Sequence, residues 1–118
     1  MGKSIILYNL RDSVTDEDYK KWCEDYKGPL LLSFKSVKGF TLVRMLEAVK
    51  GNGKDCIPPE RAKPPFKYVG ILDSVNLEDW SKEKESKSYK EDFFPQWFSK
   101  WVEDFYVLSG IEIYEQTK

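Results

Sequence analysis

Tyr68-Val69-Gly70-Ile71-Leu72-Asp73 is a short apolar run rich in β-formers, and it follows a stretch punctuated by Gly51, Gly53, Pro58, Pro59, Pro64 and Pro65. It reads as a strand. Placed there, it opens a second half of the chain that repeats the pattern of the first: strand, helix, strand. Upstream, Ser4-Ile5-Ile6-Leu7-Tyr8-Asn9-Leu10 reads as the first strand. Thr15 is a good N-cap for a helix whose first turn holds Asp16, Glu17 and Asp18, where the positive end of the helix dipole favours acids. Tyr19, Trp22, Cys23 and Tyr26 recur at i, i+3, i+4 and i+7 and give that helix one apolar face. Gly28-Pro29 is expected to end it. Leu30-Leu31-Leu32 suits either the start of a strand or a loop beneath the helices. Phe40-Thr41-Leu42-Val43-Arg44-Met45-Leu46 reads as the second strand, approached through Val37-Lys38-Gly39.

Downstream of Asp73, Leu77-Glu78-Asp79-Trp80 begins a polar helix, and Ser81 to Lys90 is a mixed-charge run that suits a solvated face. Asp92 is expected to cap a second helical piece with Pro95 in its first turn. Phe93, Phe94, Trp97, Phe98, Trp101 and Phe105 form an aromatic stripe at helical spacing. Tyr106-Val107-Leu108 and Ile111-Glu112-Ile113-Tyr114 complete the last strand, with a bulge expected at Ser109-Gly110. The order is β-α-β, a long loop over 50–66, then β-α-β. That predicts an α+β, ferredoxin-like βαββαβ sheet with the helices on one face. Its other face carries Ile, Leu, Val and Met at alternating positions and needs a cover, which a second copy of the chain supplies most simply. A homodimer is expected. The loop carries five basic and two acidic residues between Lys50 and Lys67 and suits a lid, a partner contact or a plain connector.

Composition narrows the function. With 118 residues, 41% hydrophobic and 15% aromatic, the chain is expected to be a single packed domain over 1–118. Nineteen Lys and Arg against 20 Asp and Glu leave a net charge of −1, which offers no field to draw a phosphate backbone. No nucleic-acid partner is expected. The chain has no histidine, so Ser-His-Asp and Cys-His catalysis, His-ligated metals and imidazole acid–base steps are excluded. The 2 cysteines, Cys23 and Cys56, suit reduced thiols or a lone disulfide. No apolar run approaches the roughly 18 residues of a membrane span, and the first residues lack a signal peptide's apolar core. A cytoplasmic protein with no membrane partner is expected.

Two families share stretches of this sequence. Ile5-Ile6-Leu7-Tyr8-Asn9-Leu10 and Lys38-Gly39-Phe40-Thr41-Leu42-Val43-Arg44-Met45 resemble the two RNA-contacting motifs of RNA-recognition-motif domains. The stacking aromatics of those motifs are replaced by Ile6, Leu42 and Met45, so only Phe40 remains of the platform. Over nearly the whole chain the sequence is similar to the dimeric α/β-barrel superfamily, and within it to REDY-like (HapK) proteins. The resemblance rests on Ser36-Val37-Lys38-Gly39-Phe40 with Arg44 four residues on, and on Pro65-Phe66-Lys67-Tyr68-Val69-Gly70-Ile71-Leu72-Asp73 ahead of a helix. It implies a dimer whose sheets face each other, with a pocket between each sheet and its own helices. It also implies an association with secondary metabolism, as cofactor-independent, cyclase-like or condensation-assisting enzymes acting on labile aromatic or heteroaromatic intermediates. A protein that shelters such an intermediate without turnover is the alternative.

Without histidine, proton transfer falls to Tyr, Asp, Glu, Lys, Arg or water. Tyr8 shares a strand face with Ser4 and Ile6, which the superfamily pattern turns towards the pocket. Its phenol suits a hydrogen bond to a ligand carbonyl, or equally a core tyrosine tied to a backbone carbonyl. Tyr68 is expected beside it, lining the same cavity or packing at its rim. Arg44 is a charge in an apolar strand and needs a carboxylate, either a structural one such as Asp73 or Glu112, or a ligand's. Tyr8, Tyr68 and Arg44 are the candidate catalytic residues. Ser4, Ile6, Asp73, Tyr89, Trp97 and Trp101 are the candidate substrate-binding residues, with Trp97 and Trp101 also suited to core packing and Tyr89 to a lid. No metal site and no cofactor are expected.

Overall fold

Alternation along the first strand sets which way the sheet faces. In the computed structural model, which describes residues 2–118, β1 (Gly2–Leu10) buries Ser4 and Tyr8 and turns Ile6 the same way. It pairs antiparallel with β5 (Tyr68–Ser74) on one side and β6 (Val102–Ile111) on the other, and β2 (Val37–Arg44) closes the sheet beside β5. The order β2-β5-β1-β6 is that of an antiparallel ferredoxin-like sheet. Register puts Tyr8 between Tyr68 and Phe105, and Ile6 between Gly70 and Val107. One sheet face is therefore aromatic and covered by helices. The opposite face carries Ile5, Leu7, Val43, Val69 and Ile71, all half-buried, with Leu108 and Tyr106 exposed.

The first helical layer does not stop at Gly28-Pro29. α1 (Asp16–Trp22) starts on the Thr15 side chain, which accepts from the Asp18 N–H at 3.1 Å. It runs into a π-helical turn, Cys23–Lys27, where Gly28 N–H donates to the Cys23 carbonyl, and then into α2 (Gly28–Leu32). The wider turn lets Pro29, which has no N–H, enter at the start of the next segment without leaving a carbonyl-facing clash. Leu30, Leu31 and Leu32 are thus helical, and Leu31 is buried. In the second layer, α3 (Leu77–Glu83) is capped by Asn76, which accepts from the Asp79 N–H at 2.8 Å. After a break, π-helical turns Ser88–Phe93 and Trp97–Trp101 flank a single turn α4 (Phe94–Gln96). This piece begins at Ser88, so Asp92 lies inside it and does not cap it.

Three further expectations are corrected. The stretch expected as a loop over 50–66 forms a hairpin, β3 (Ala48–Asn52) and β4 (Ile57–Ala62), whose strands pair only with each other. Pro58 and Pro59 are tolerated because both strands are edges, with N–H groups that need no ladder partner. The last strand begins at Val102 and ends at Ile111 without a break at Ser109-Gly110. Its irregularity lies where Tyr8 and Leu10 of β1 meet it. Phe105 belongs to this strand, not to the helical stripe, and edge-packs on Trp97 at 5.0 Å. Both cysteines are free thiols, Cys23 buried and Cys56 exposed.

Sheet and helices meet at two clusters, the larger around Tyr8, Tyr19, Tyr68, Trp97 and Trp101, the smaller around Leu31, Leu72 and Trp80. Leu72 is 1% exposed at the centre of the smaller one. Leu72→Ala is expected to lower stability by about 2–5 kcal/mol, read from the urea midpoint at unchanged slope. A loss below about 1 kcal/mol would mean that this seam collapses around the missing side chain.

Candidate functional site

The helical face of the sheet and the two helical layers enclose two spaces that share Phe40 as a wall. One is a cleft of about 480 Å³ between α1 and the edge strand β2, lined by Tyr19 and Cys23 from the helix side and by Phe40, Leu42 and Tyr68 from the sheet. The other is an interior chamber of about 40 Å³, bordered by Ser4, Lys27, Phe40, Tyr89 and Trp97 among others. Gly70 makes the shared wall feasible. A Cβ there would stand 3.3 Å from the Phe40 ring.

Three side chains meet at the mouth of the cleft. Arg44 Nη1 pairs with Asp16 Oδ2 at 2.5 Å, and the Tyr68 hydroxyl donates to Asp16 Oδ1 at 2.5 Å. The carboxylate that Arg44 needs comes from the first turn of α1, not from Asp73 or Glu112. Those two carboxylates both pair with Lys3, at 2.5 and 3.3 Å. Arg44 and Asp16 keep 51% and 42% of their side chains exposed, so the pair contributes at most about 1 kcal/mol. Burial, and then the bond to Asp16, push the Tyr68 phenol above its ordinary range.

Between the two spaces lies a buried polar cluster. Lys27, carried inward by the π-helical turn, is 3% exposed. Its Nζ donates to the Tyr19 hydroxyl at 2.9 Å and stands 3.5 Å from that of Tyr8. It also lies 5.0–5.5 Å from the ring centres of Phe40, Tyr8, Trp97 and Tyr19. Trp97 Nε1–H donates to the Tyr19 hydroxyl at 3.0 Å. With both of its lone pairs taken by Lys27 and Trp97, Tyr19 must give its own proton to the Tyr8 oxygen, 2.6 Å away. While Lys27 is charged, that leaves the Tyr8 proton with no acceptor in the cluster; on the neutral amine the Nζ lone pair, 3.5 Å away, can take it. Burial pushes the Tyr8 and Tyr19 phenols far above their usual range and pulls Lys27 down to about 8. No carboxylate reaches Lys27 among the described residues; four rings and two hydroxyls surround its Nζ, with Cys23 also acting on it.

The candidates thus separate. Tyr68 and Arg44 border the cleft, while Ser4, Ile6, Tyr89 and Trp97 border the chamber. Tyr8 stands between them, its ring stacked on that of Tyr68 at 5.5 Å and its hydroxyl tied to side chains and not to a backbone carbonyl. Tyr89 sits within a helical turn, and burial pushes its phenol up to about 12. Trp101 borders neither space; it packs on Tyr19 and Trp22 in the core, with its Nε1–H unpaired among the described residues. Asp73 is on the opposite sheet face, paired to Lys3, and leaves the site. Lys27, Tyr19 and Asp16 were not singled out from the sequence. Lys27 had a signal: it lies four residues beyond Cys23, on the apolar stripe of its helix.

The family model for the REDY-like protein HapK matches residues 2–113. The chain belongs to that family. No curated protein matches the sequence. Among solved structures, HapK from Hahella chejuensis superposes with a TM-score of 0.70 at 17% identity, over 100% of this chain and 98% of that one. A dabb family protein with a ferredoxin-like fold from Mesorhizobium loti gives 0.68 at 12% identity, over 95% and 96%. A hydroxynitrile lyase from Passiflora edulis gives 0.64 at 15% identity, over 98% and 96%. At these identities the likeness is one of fold. Membership in the HapK family replaces the RNA-motif resemblance, and Phe40 shows why: its ring points inward at Lys27 and cannot stack a base on the open sheet face. No helix among the described residues is long and apolar enough to cross a membrane.

Lys27 gives stability a pH dependence of definite sign. Between pH about 8 and 10.5 the unfolded chain holds a proton on this lysine that the folded chain has released, so stability rises with pH across that window. Near pH 10 and above, unfolded Tyr8 and Tyr19 ionise while the folded phenols stay protonated, and stability falls again. Lys27→Met removes the buried charge and is expected to stabilise the fold by about 1–3 kcal/mol at pH 7. Its advantage over the parent should shrink by about 2–3 kcal/mol by pH 10, read from urea titrations across pH. A constant difference would place the ammonium in contact with water.

Proposed function

We propose that this protein is a cofactor-independent enzyme, cyclase-like or condensation-assisting, acting on an aromatic or heteroaromatic intermediate of secondary metabolism. The observation that carries the reading is the cleft of about 480 Å³, lined by Tyr19, Cys23, Phe40 and Leu42, by the charged Glu17, Lys20 and Glu24 of the first helical layer, and by the Arg44–Asp16–Tyr68 cluster. Its volume suits one small organic ligand. A flat ring system is favoured by Phe40, Leu42 and the Tyr19 ring. Arg44 is held only by a half-exposed partner, so a ligand carboxylate or enolate can replace Asp16 at little cost. Tyr68 then supplies a hydrogen bond to developing negative charge on a carbonyl oxygen, and Tyr8 backs it with its stacked ring. Ser4, Ile6, Tyr89 and Trp97 border the separate chamber beyond Phe40 and do not line the cleft.

The chain works, in the same proposal, as one dimeric α/β-barrel domain in the cytoplasm. Support comes from the open sheet face, where Ile5, Leu7, Val69 and Ile71 stand together without a covering element of their own. Two such faces packed together bury one another. Val69→Glu is expected to convert the dimer into a folded monomer in light scattering; an unchanged mass would remove the sheet face as the interface.

Catalysis is tested by mass spectrometry of purified protein incubated with labile pyrrole- and indole-derived compounds, each beside a protein-free control. A new product, or a spontaneous product diverted into another, is expected. Arg44→Ala and Tyr68→Phe should each lower kcat/KM about 10- to 100-fold with the fold intact, since each removes a bond to a charged group. An intermediate preserved with no new product would instead make the protein a sheltering binder.

A further inference from the structure

We propose that Lys27 is a reactive amine that forms a Schiff base with the carbonyl group of an aldehyde or ketone entering the interior chamber. Its setting is a built site. The chamber is bordered by the Lys27 side chain and by Ser4, whose hydroxyl is buried and has no hydrogen-bond partner among the described residues. The remaining walls are chiefly aromatic and aliphatic, so an apolar carbonyl compound is preferred over a sugar or a phosphate ester. A space of about 40 Å³ admits the carbonyl head alone, and the body of the ligand must lie beyond it. The inference rests on the small-molecule reading above but does not need turnover in the cleft.

The charged and titratable groups that face Lys27 or its chamber come from every element around it: Tyr8 on β1, Tyr19 on α1, Cys23 in the same π-helical turn, and Tyr89 and Lys84 from the second helical layer. None is a carboxylate. Desolvation therefore acts on the ammonium without an opposing ion pair, and a substantial neutral fraction exists near neutral pH, as an amine nucleophile requires. The lone pair on Nζ attacks the carbonyl carbon, and the π electrons move to oxygen. That oxygen takes a proton from the new ammonium, relayed by the Ser4 hydroxyl, which borders the chamber and has no hydrogen-bond partner among the described residues, giving a neutral carbinolamine. A second transfer from nitrogen to the hydroxyl expels water and leaves the C=N bond. One carbonyl compound and one amine become one imine and one water, with no oxidant or reductant, and hydrolysis reverses the step.

The test uses the whole protein, propanal as the probe and cyanoborohydride to fix any imine as a secondary amine, followed by peptide mass spectrometry. At pH 7.5 Lys27 is expected to be labelled at least tenfold faster than the exposed lysines Lys20, Lys21 and Lys82, with a rate that levels off above pH about 8. Lys27→Met should lose that label and keep its fold, so loss of structure does not confound the result, and Lys27→Arg should lose it as well. Lys27 labelled no faster than the exposed lysines, or only after urea unfolding, overturns the proposal. If Lys27 is labelled but no compound is transformed in the assay above, the amine stands and the catalytic reading falls. If turnover persists undiminished in Lys27→Met, the amine lies outside that reaction, and the Schiff-base role is overturned for it.

Discussion

A single ammonium group solvated by four aromatic rings and two phenols is the constraint around which the interior is arranged. An isolated buried charge costs several kcal/mol, and this one is 3% exposed. What replaces water must be polar at its tip and apolar in its body, and tyrosine and tryptophan are the side chains of that kind. Tyr8 from β1 and Tyr19 from α1 turn their hydroxyls to the ammonium, while Trp97 from the second helical layer faces it with its ring and donates its Nε1–H to Tyr19. The cluster therefore ties three elements together at one point. Their ring planes settle edge-on, at 78° for both Tyr8–Tyr19 and Tyr8–Trp97, which is the arrangement the ring quadrupoles favour. Removing any one tip leaves a buried donor or acceptor unmatched.

Backbone geometry serves the same end. An α-helix through residues 23–28 would have met Pro29 with its missing N–H and stopped there. The π-helical turn widens the helix by one residue and carries Lys27 inward while the chain continues into α2. Pro95 in the second layer has the same relation to the π-helical turn Ser88–Phe93 before it, and Trp97 follows two residues later. Both prolines thus sit where a wide turn hands over to a new helical start, and each is placed beside a residue of the buried cluster.

Much of this architecture was legible in the sequence. Ser4–Leu10 and Tyr68–Asp73 are apolar runs too short for helices and too β-branched for loops, and Thr15 with three acids after it marks a helix start on local chemistry alone. What was not legible depended on partners. Gly51, Gly53, Pro58 and Pro59 read as a loop because proline is excluded from paired strands, yet a two-stranded hairpin has only edges and the rule does not bind there. Phe105 fell on a helical stripe because its spacing from Trp101 suits both periods; the β-ladder with Tyr8 decided between them. Arg44 plainly needed a carboxylate, but Asp16 lies 28 positions away and meets it only when α1 crosses β2. Lys27 was the larger omission. A lysine on an apolar stripe looks like a helix-end charge next to Gly28-Pro29, and only the π-helical turn Cys23–Lys27 shows it is interior.

The two spaces divide the electrostatics between them. At the cleft mouth, Arg44 and Asp16 are half-exposed, their attraction is damped by water, and exchange of Asp16 for another anion changes little in free energy. In the interior the same kind of charge is undamped, so Lys27 responds strongly to whatever enters. An anion or an amine-reactive carbonyl there relieves a cost that the empty fold carries permanently, whereas at Arg44 it merely substitutes for a partner already present. Affinity for charge is therefore to be sought at Lys27, and exchange and orientation at Arg44. Phe40, backed by the bare Gly70, is the wall the two spaces share.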